Sequence, residues 1–179
     1  MRKKLSLTVA IIMSLLLLAG CAGGNTVDEN QPEEADVVTT ASIVDVEADF
    51  SKAISSDGKW IIATLNDLTF EKELVVEGTF YDGGDSKNDV YRKIAPYAQD
   101  DDYNVTERYT ITAPQMTIIS PNTKFQAGTF AGDIFVEANG FILEDAVVEG
   151  NLYFAREEFQ QSAEITENSE VSGEIEVVN

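Results

Sequence analysis

The 179-residue sequence has no histidine, one cysteine, one tryptophan and four prolines. Without histidine it lacks the commonest general base at neutral pH and the commonest zinc ligand. A single thiol, Cys21, forbids an intrachain disulfide. Basic residues are scarce too: twelve Lys and Arg stand against thirty-two Asp and Glu, a formal charge of −20. Such a surface repels phosphate backbones, which excludes nucleic acid as a partner. Long apolar runs are absent except for Leu5 to Leu18, broken only by Ser6, Thr8 and Ser14. That run is short for a transmembrane helix.

What is there begins with that run. Arg2, Lys3 and Lys4 precede it and Leu18-Ala19-Gly20-Cys21 closes it, a pattern that resembles a bacterial lipobox. Residues 1–20 are read as a lipoprotein signal peptide and Cys21 as the lipidation site. The competing reading is an ordinary signal peptide with an incidental cysteine. The position of the only thiol at the cleavage point favours lipidation, because a lone free thiol in an exported chain is a liability. Cleavage removes three basic and no acidic residues, taking the formal charge from −20 to −23. Membrane lipid is then the expected partner through acylated Cys21, at about 0.8 kcal/mol per buried methylene. The chain is expected to sit at the cell membrane, facing outside the cytoplasm.

Residues 21–48 read as an acidic flexible tether: seven Asp and Glu, no Lys or Arg after Cys21, and no aromatic residue. Residues 49–179 read as one domain. Asp49 is expected to cap a short helix through Ser55, with Asp57-Gly58 ending it, and Trp60 to Leu65 to form the first strand. Trp60 is read as part of that cap's core, ahead of a ligand-stacking role.

Within the domain a short pattern recurs: apolar, any, Gly, polar, apolar, any, apolar. It appears as Phe130-Ala131-Gly132-Asp133-Ile134-Phe135-Val136, as Val148-Glu149-Gly150-Asn151-Leu152-Tyr153-Phe154, and as Val171-Ser172-Gly173-Glu174-Ile175-Glu176-Val177. A weaker copy is Val76-Glu77-Gly78-Thr79-Phe80, and Pro114 stands at the Gly position of another. Pro114, Gly132 and Gly150 are eighteen residues apart, Gly78 lies thirty-six before Pro114, and Gly173 lies twenty-three after Gly150. Period-two alternation marks strands with one apolar face, and a fixed repeat marks stacked units that bury that face against each other. The expected fold is all-β: a single-stranded parallel β-helix (solenoid) of about 18-residue rungs behind a short N-terminal capping helix. The glycines allow either a positive φ or close approach of stacked backbones. Residues 82–108 read as an insertion, and the excess before Gly173 as a bulge near Arg156 to Gln161.

Apolar-x-Gly-x-apolar rungs of this length resemble those of bactofilins, bacterial proteins whose β-helical domain polymerises end to end without nucleotide. The resemblance covers residues 110–179 and the copy at Gly78. It implies the β-helix and a homo-oligomer; bactofilins are cytoplasmic, whereas this chain is expected to be exported.

Two chemistries compete with a structural role. Asp82, Asp85, Asp89, Asp100, Asp101 and Asp102 offer oxygen ligands, yet without any calcium-loop spacing, so a solvated acidic loop is the better reading. Tyr91, Tyr97 and Arg108 could line a carbohydrate platform. No spacing marks a paired-carboxylate active site, and neither catalytic residues, a metal nor a cofactor is expected. The function expected is a structural or interaction role at the cell envelope, with self-association through the C-terminal rung ending at Val177; the alternative is a carbohydrate-binding or carbohydrate-processing envelope protein.

Overall fold

The computed structural model describes residues 41–178. Cys21, the signal peptide and the tether up to residue 40 lie outside the described residues. In chain order the elements are β1 (Ala41–Ile43), α1 (Glu47–Ala53), β2 (Ile61–Ala63), β3 (Leu68–Thr69) and β4 (Leu74–Val76). A 3-10 turn (Asp82–Gly84) precedes β5 (Arg92–Ala95), β6 (Tyr97–Gln99), β7 (Val105–Arg108), β8 (Thr110–Ile118), β9 (Thr123–Gln126) and β10 (Thr129–Val136). Then come β11 (Ile142–Glu144), β12 (Val147–Val148), β13 (Leu152–Phe154), α2 (Glu157–Ser162), β14 (Glu164–Ile165), β15 (Glu170–Val171) and β16 (Ile175–Val177). The chain is mostly β, with parallel sheets and few helices.

The first sheet has the order β1-β2-β5-β9-β11-β14, every neighbour parallel. The second is built on β8 and β10: β3 and β4 pair with the two halves of β8, and β12 and β13 with the two halves of β10. β15 and β16 continue it beyond β12 and β13, again in parallel. Parallel neighbours cannot be joined by a tight hairpin and need a crossover. Here each sheet supplies the other's crossovers: from β2 onward the chain passes alternately from the first sheet to the second. Only the β6-β7 hairpin and the isolated Tyr81–Val90 bridge are antiparallel among the described residues.

The eighteen-residue spacing is the pairing register itself. Ile134 faces Leu152 and Val136 faces Phe154 on one side, and Met116 and Ile118 on the other. Alternate positions point into the space between the sheets, where Ile62, Ile94, Phe125 and Leu143 form one column with no exposed surface. Met116, Ile134 and Leu152 form its counterpart from the second sheet. Phe125 meets Phe130 edge-on across the gap, with ring centres 6.4 Å apart. Burying each such side chain is worth about 1.5–3 kcal/mol in transfer free energy, most of it offset by lost chain entropy.

Several boundaries differ from the expectation. The capping helix starts at Glu47, with Val46 rather than Asp49 at the N-cap. Asp49 instead places its carboxylate in the first turn, where the helix dipole favours it. Phe50, Ala53 and Ile54 are buried, and Phe50 packs on Phe70 at 5.6 Å. The expected tether, 21–48, overlaps the folded body: Ala41–Ile43 pairs in register with Ile61–Ala63. The strand expected over Trp60 to Leu65 is only β2; beyond it the buried Thr64 keeps one bond to the Ala95 carbonyl, and its hydroxyl donates to the Asn66 carbonyl.

The 82–108 stretch is not a continuous insertion. β5 lies inside it as a full member of the first sheet, between the Tyr81–Val90 loop and the β6-β7 hairpin. The excess before Gly173 is α2, whose Phe159 is buried, rather than a bulge. A bulge does occur in β8: Ala131 faces Thr112 but Asp133 faces Gln115, so Ala113 and Pro114 together oppose Gly132. Proline has no N–H to lose there, and such sites tolerate it inside a sheet. No helix among the described residues is long and apolar enough to cross a membrane.

Candidate functional site

Three of the four repeat glycines stand in one column. A Cβ on Gly132 would lie 1.9 Å from the Ala113 carbonyl oxygen, on Gly150 2.4 Å from the Gly132 oxygen, and on Gly173 2.7 Å from the Gly150 oxygen. Close backbone approach is therefore their common reason, with a φ of +150° at Gly132 in addition. Gly78 does not join the column. Leu74, Val75 and Val76 face Met116, Thr117 and Ile118, so Gly78 falls two residues beyond β4. There it has a φ of +101°, with its carbonyl accepting from the Ser120 hydroxyl at 2.7 Å. The alignment of Gly78 with Pro114 was thus out of register.

Beside the glycines runs a polar column. The Asp133 carboxylate accepts from the Asn151 amide N–H at 2.7 Å and from its side-chain Nδ2 at 3.0 Å. Asn151 Oδ1 in turn accepts from the Glu174 N–H at 2.9 Å. Each residue caps the next strand where the backbone kinks, so Asn151 bears on the register although it points outward.

The column of inward residues ends abruptly. Leu143 and Leu152 have no exposed surface, but their partners in the last strands, Ile165 and Ile175, are 37% and 45% exposed. Among the described residues nothing pairs with the far edges of β14, β15 and β16. Glu164, Glu170, Glu174 and Glu176 surround them.

On the outer face of the first sheet a second group converges. Lys93 and Lys124 are direct neighbours across β5 and β9, as are Gln126 and Glu144 across β9 and β11. Glu144 accepts from Lys124 at 2.7 Å and from the Gln126 amide at 2.6 Å. Lys93 donates to the Tyr97 hydroxyl at 2.9 Å. Tyr91 packs on Trp60, with ring centres 6.1 Å apart. Burial pushes the Tyr91 phenol up to about 12, helped by the charges of Glu144 and Asp82 and by Tyr97. The structure thus brings Tyr91 and Tyr97 to one place, together with lysines that the sequence did not single out. Tyr103 is not part of it and is 81% exposed.

The three arginines among the described residues are all engaged. Arg108 faces Tyr97 in the hairpin but gives its guanidinium to the Asp145 carbonyl (2.7 Å) and carboxylate (2.6 Å). Arg156 lies over Phe159 and pairs with Glu158 at 2.8 Å. Arg92 is completely buried. It donates to the carbonyls of Glu77, Ala53 (2.7 Å) and Ser55 (3.0 Å), and its Cζ lies 4.1 Å from the centre of the Phe80 ring. In the acidic loops Asp100 closes on its own turn, accepting from the Asp102 and Asn104 backbones and the Asn104 amide. Those bonds hold its carboxyl below the usual range. No group of three or more acidic side chains among the described residues is gathered to hold a metal ion.

Compared with known proteins, the chain matches no family model, and neither a curated protein nor a solved structure matches it.

Proposed function

We propose that this chain is an exported protein anchored to the membrane by acylated Cys21, and that its body is a parallel β-solenoid of about 18-residue rungs with a structural role at the cell envelope, exercised by self-association. The winding is supported by the alternation between two parallel sheets at a constant register. The likeness of its rungs to bactofilin rungs belongs to the same proposal.

The observation that carries self-association is the exposure of Ile165 and Ile175, whose neighbours Leu143 and Leu152 in the same columns have no exposed surface. An unpaired strand edge with apolar neighbours is a template for another chain. Two such edges meeting around a two-fold axis form a closed pair. At the other end α1 packs Phe50 on Phe70, just after β3. The acidic rim makes association salt-dependent, because screening weakens repulsion between the paired edges.

Sedimentation of the full chain carrying Cys21→Ser, at low and high salt, tests the reading. A dimer that strengthens with salt and disappears in Ile175→Lys is expected. A monomer at every salt and concentration overturns it.

A further inference from the structure

The mature chain carries few cations, and two of them stand side by side on the outer face of the first sheet. Lys93 and Lys124 face each other across β5 and β9. Lys124 is neutralised by Glu144 at 2.7 Å. Among the described residues Lys93 has no carboxylate partner within salt-bridge distance; its ammonium reaches the Tyr97 hydroxyl and lies 5.2 Å from the centre of that ring. Two of its three N–H donors remain for another molecule. Glu144 already bridges Lys124 and Gln126, which fixes a row of donors and acceptors on neighbouring strands. Strand spacing sets that row at about 4.8 Å per step. Tyr91 and Tyr97 stand at its margin, half-buried, and Tyr91 is backed by Trp60 at 6.1 Å.

Rigid strands, held polar groups and phenol rings beside them suit one class of ligand. A pyranose ring presents vicinal hydroxyls to paired donors and acceptors, and an apolar C–H face to an aromatic ring. The formal charge of −20 on the chain disfavours a polyanion.

We propose that this face is a glycan-binding platform for an uncharged saccharide, with Tyr97 stacking on the sugar ring and Lys93, Lys124, Gln126 and Glu144 taking its hydroxyl and carbonyl groups. The platform is distinct from the strand edges of β14 to β16, so it stands or falls separately from self-association.

Trp60 is the only tryptophan in the sequence and touches Tyr91, so it reports on the site. The experiment is a fluorescence titration of the full chain carrying Cys21→Ser with the N-acetylglucosamine tetramer, repeated with the galacturonic acid tetramer. Saturable change with the uncharged tetramer is expected. Tyr97→Ala and Lys93→Met should each weaken it about tenfold or more, the loss of one stacking or one charge-assisted contact. Melting temperatures close to the parent's establish that both variants are folded, and amide shifts confined to β5, β9 and β11 serve as a second readout. Absence of binding to the uncharged tetramer, binding to the acidic tetramer alone, or binding indifferent to both substitutions overturns the proposal.

Discussion

Replacing Arg92 by Met tests the part of the fold that alternation does not explain. The guanidinium has no exposed surface and no carboxylate bonded to it; three backbone carbonyls hold it instead, while Nε has no partner. Two of those carbonyls, Ala53 and Ser55, belong to the end of α1 and the turn after it, and the third, Glu77, follows β4. Arg92 therefore clasps the capping helix and the 77–80 loop to β5. Burial lowers its pKa to about 10, with Glu77 opposing the shift, so the charge is held at a cost. Three hydrogen bonds from a charged donor and the contact with Phe80 hold the guanidinium there against that cost. Removing a buried ion returns several kcal/mol of desolvation. Ala53 keeps the Lys59 N–H at 3.3 Å and Ser55 keeps the Gly58 N–H at 3.0 Å, so the Glu77 carbonyl is the one left without a donor, at about 1–3 kcal/mol. Arg92→Met should thus destabilise by about 1–3 kcal/mol, read from the urea midpoint at unchanged slope. Hydrogen exchange should show where: the amides of Ile54, Gly58 and Glu77 lose protection before those of Ile134 and Leu152. A variant within about 0.5 kcal/mol of the parent, or one that loosens evenly throughout, refutes the clasp.

Two further outcomes are expected. Cys21→Ser should abolish fatty-acid labelling and leave the precursor uncleaved, and a mutant labelled as strongly as the parent removes the lipid anchor. Tyr91 is expected to titrate last among the tyrosines, near 12 against about 10 in the unfolded chain. The fold favours the neutral phenol, so this stabilisation is complete below about pH 10 and is lost as pH rises through about 12. Phenolate absorbance checks it: Tyr91→Phe should delete the highest step, and a titration unchanged by the substitution contradicts the burial.

The repeats were legible where a residue's role is set by its own strand. Phe130, Ile134, Val136, Val148, Leu152 and Phe154 alternate with polar neighbours and are all buried, as period two requires. β5 was not legible. Its inward positions are Arg92 and Ile94, and an arginine in a core position reads as a loop residue because its partners, backbone carbonyls from 15, 37 and 39 residues away, leave no mark in local pattern. β1 failed for the same kind of reason: three residues at the end of an acidic stretch become a strand only because β2 offers an edge. Of the outer-face group, Tyr91 and Tyr97 were singled out, but Lys93 and Lys124 were not, since they are thirty-one positions apart in sequence and adjacent only across strands.

The glycines carry a different kind of information. Each glycine of the column is required by the backbone of the preceding pass: Gly132 by the Ala113 carbonyl, Gly150 by that of Gly132, Gly173 by that of Gly150. The position therefore reports the strand beneath it, and a first pass has nothing beneath to report. That is the situation of β3 and β4. Between them the exposed residues Glu71, Lys72 and Glu73 loop outward, and the bulge at Ala113 and Pro114 opposes this break. With no backbone pressed against it from below, the kink of β8 needs no glycine and accommodates proline. The same reasoning explains the misaligned copy at Gly78, whose glycine answers to Ser56 and Phe80 at a corner, a Cβ there lying 2.9 Å and 2.8 Å from them. A glycine at the repeat position thus tells of a strand already in place, and its absence at β8 marks where the regular stacking of the second sheet begins.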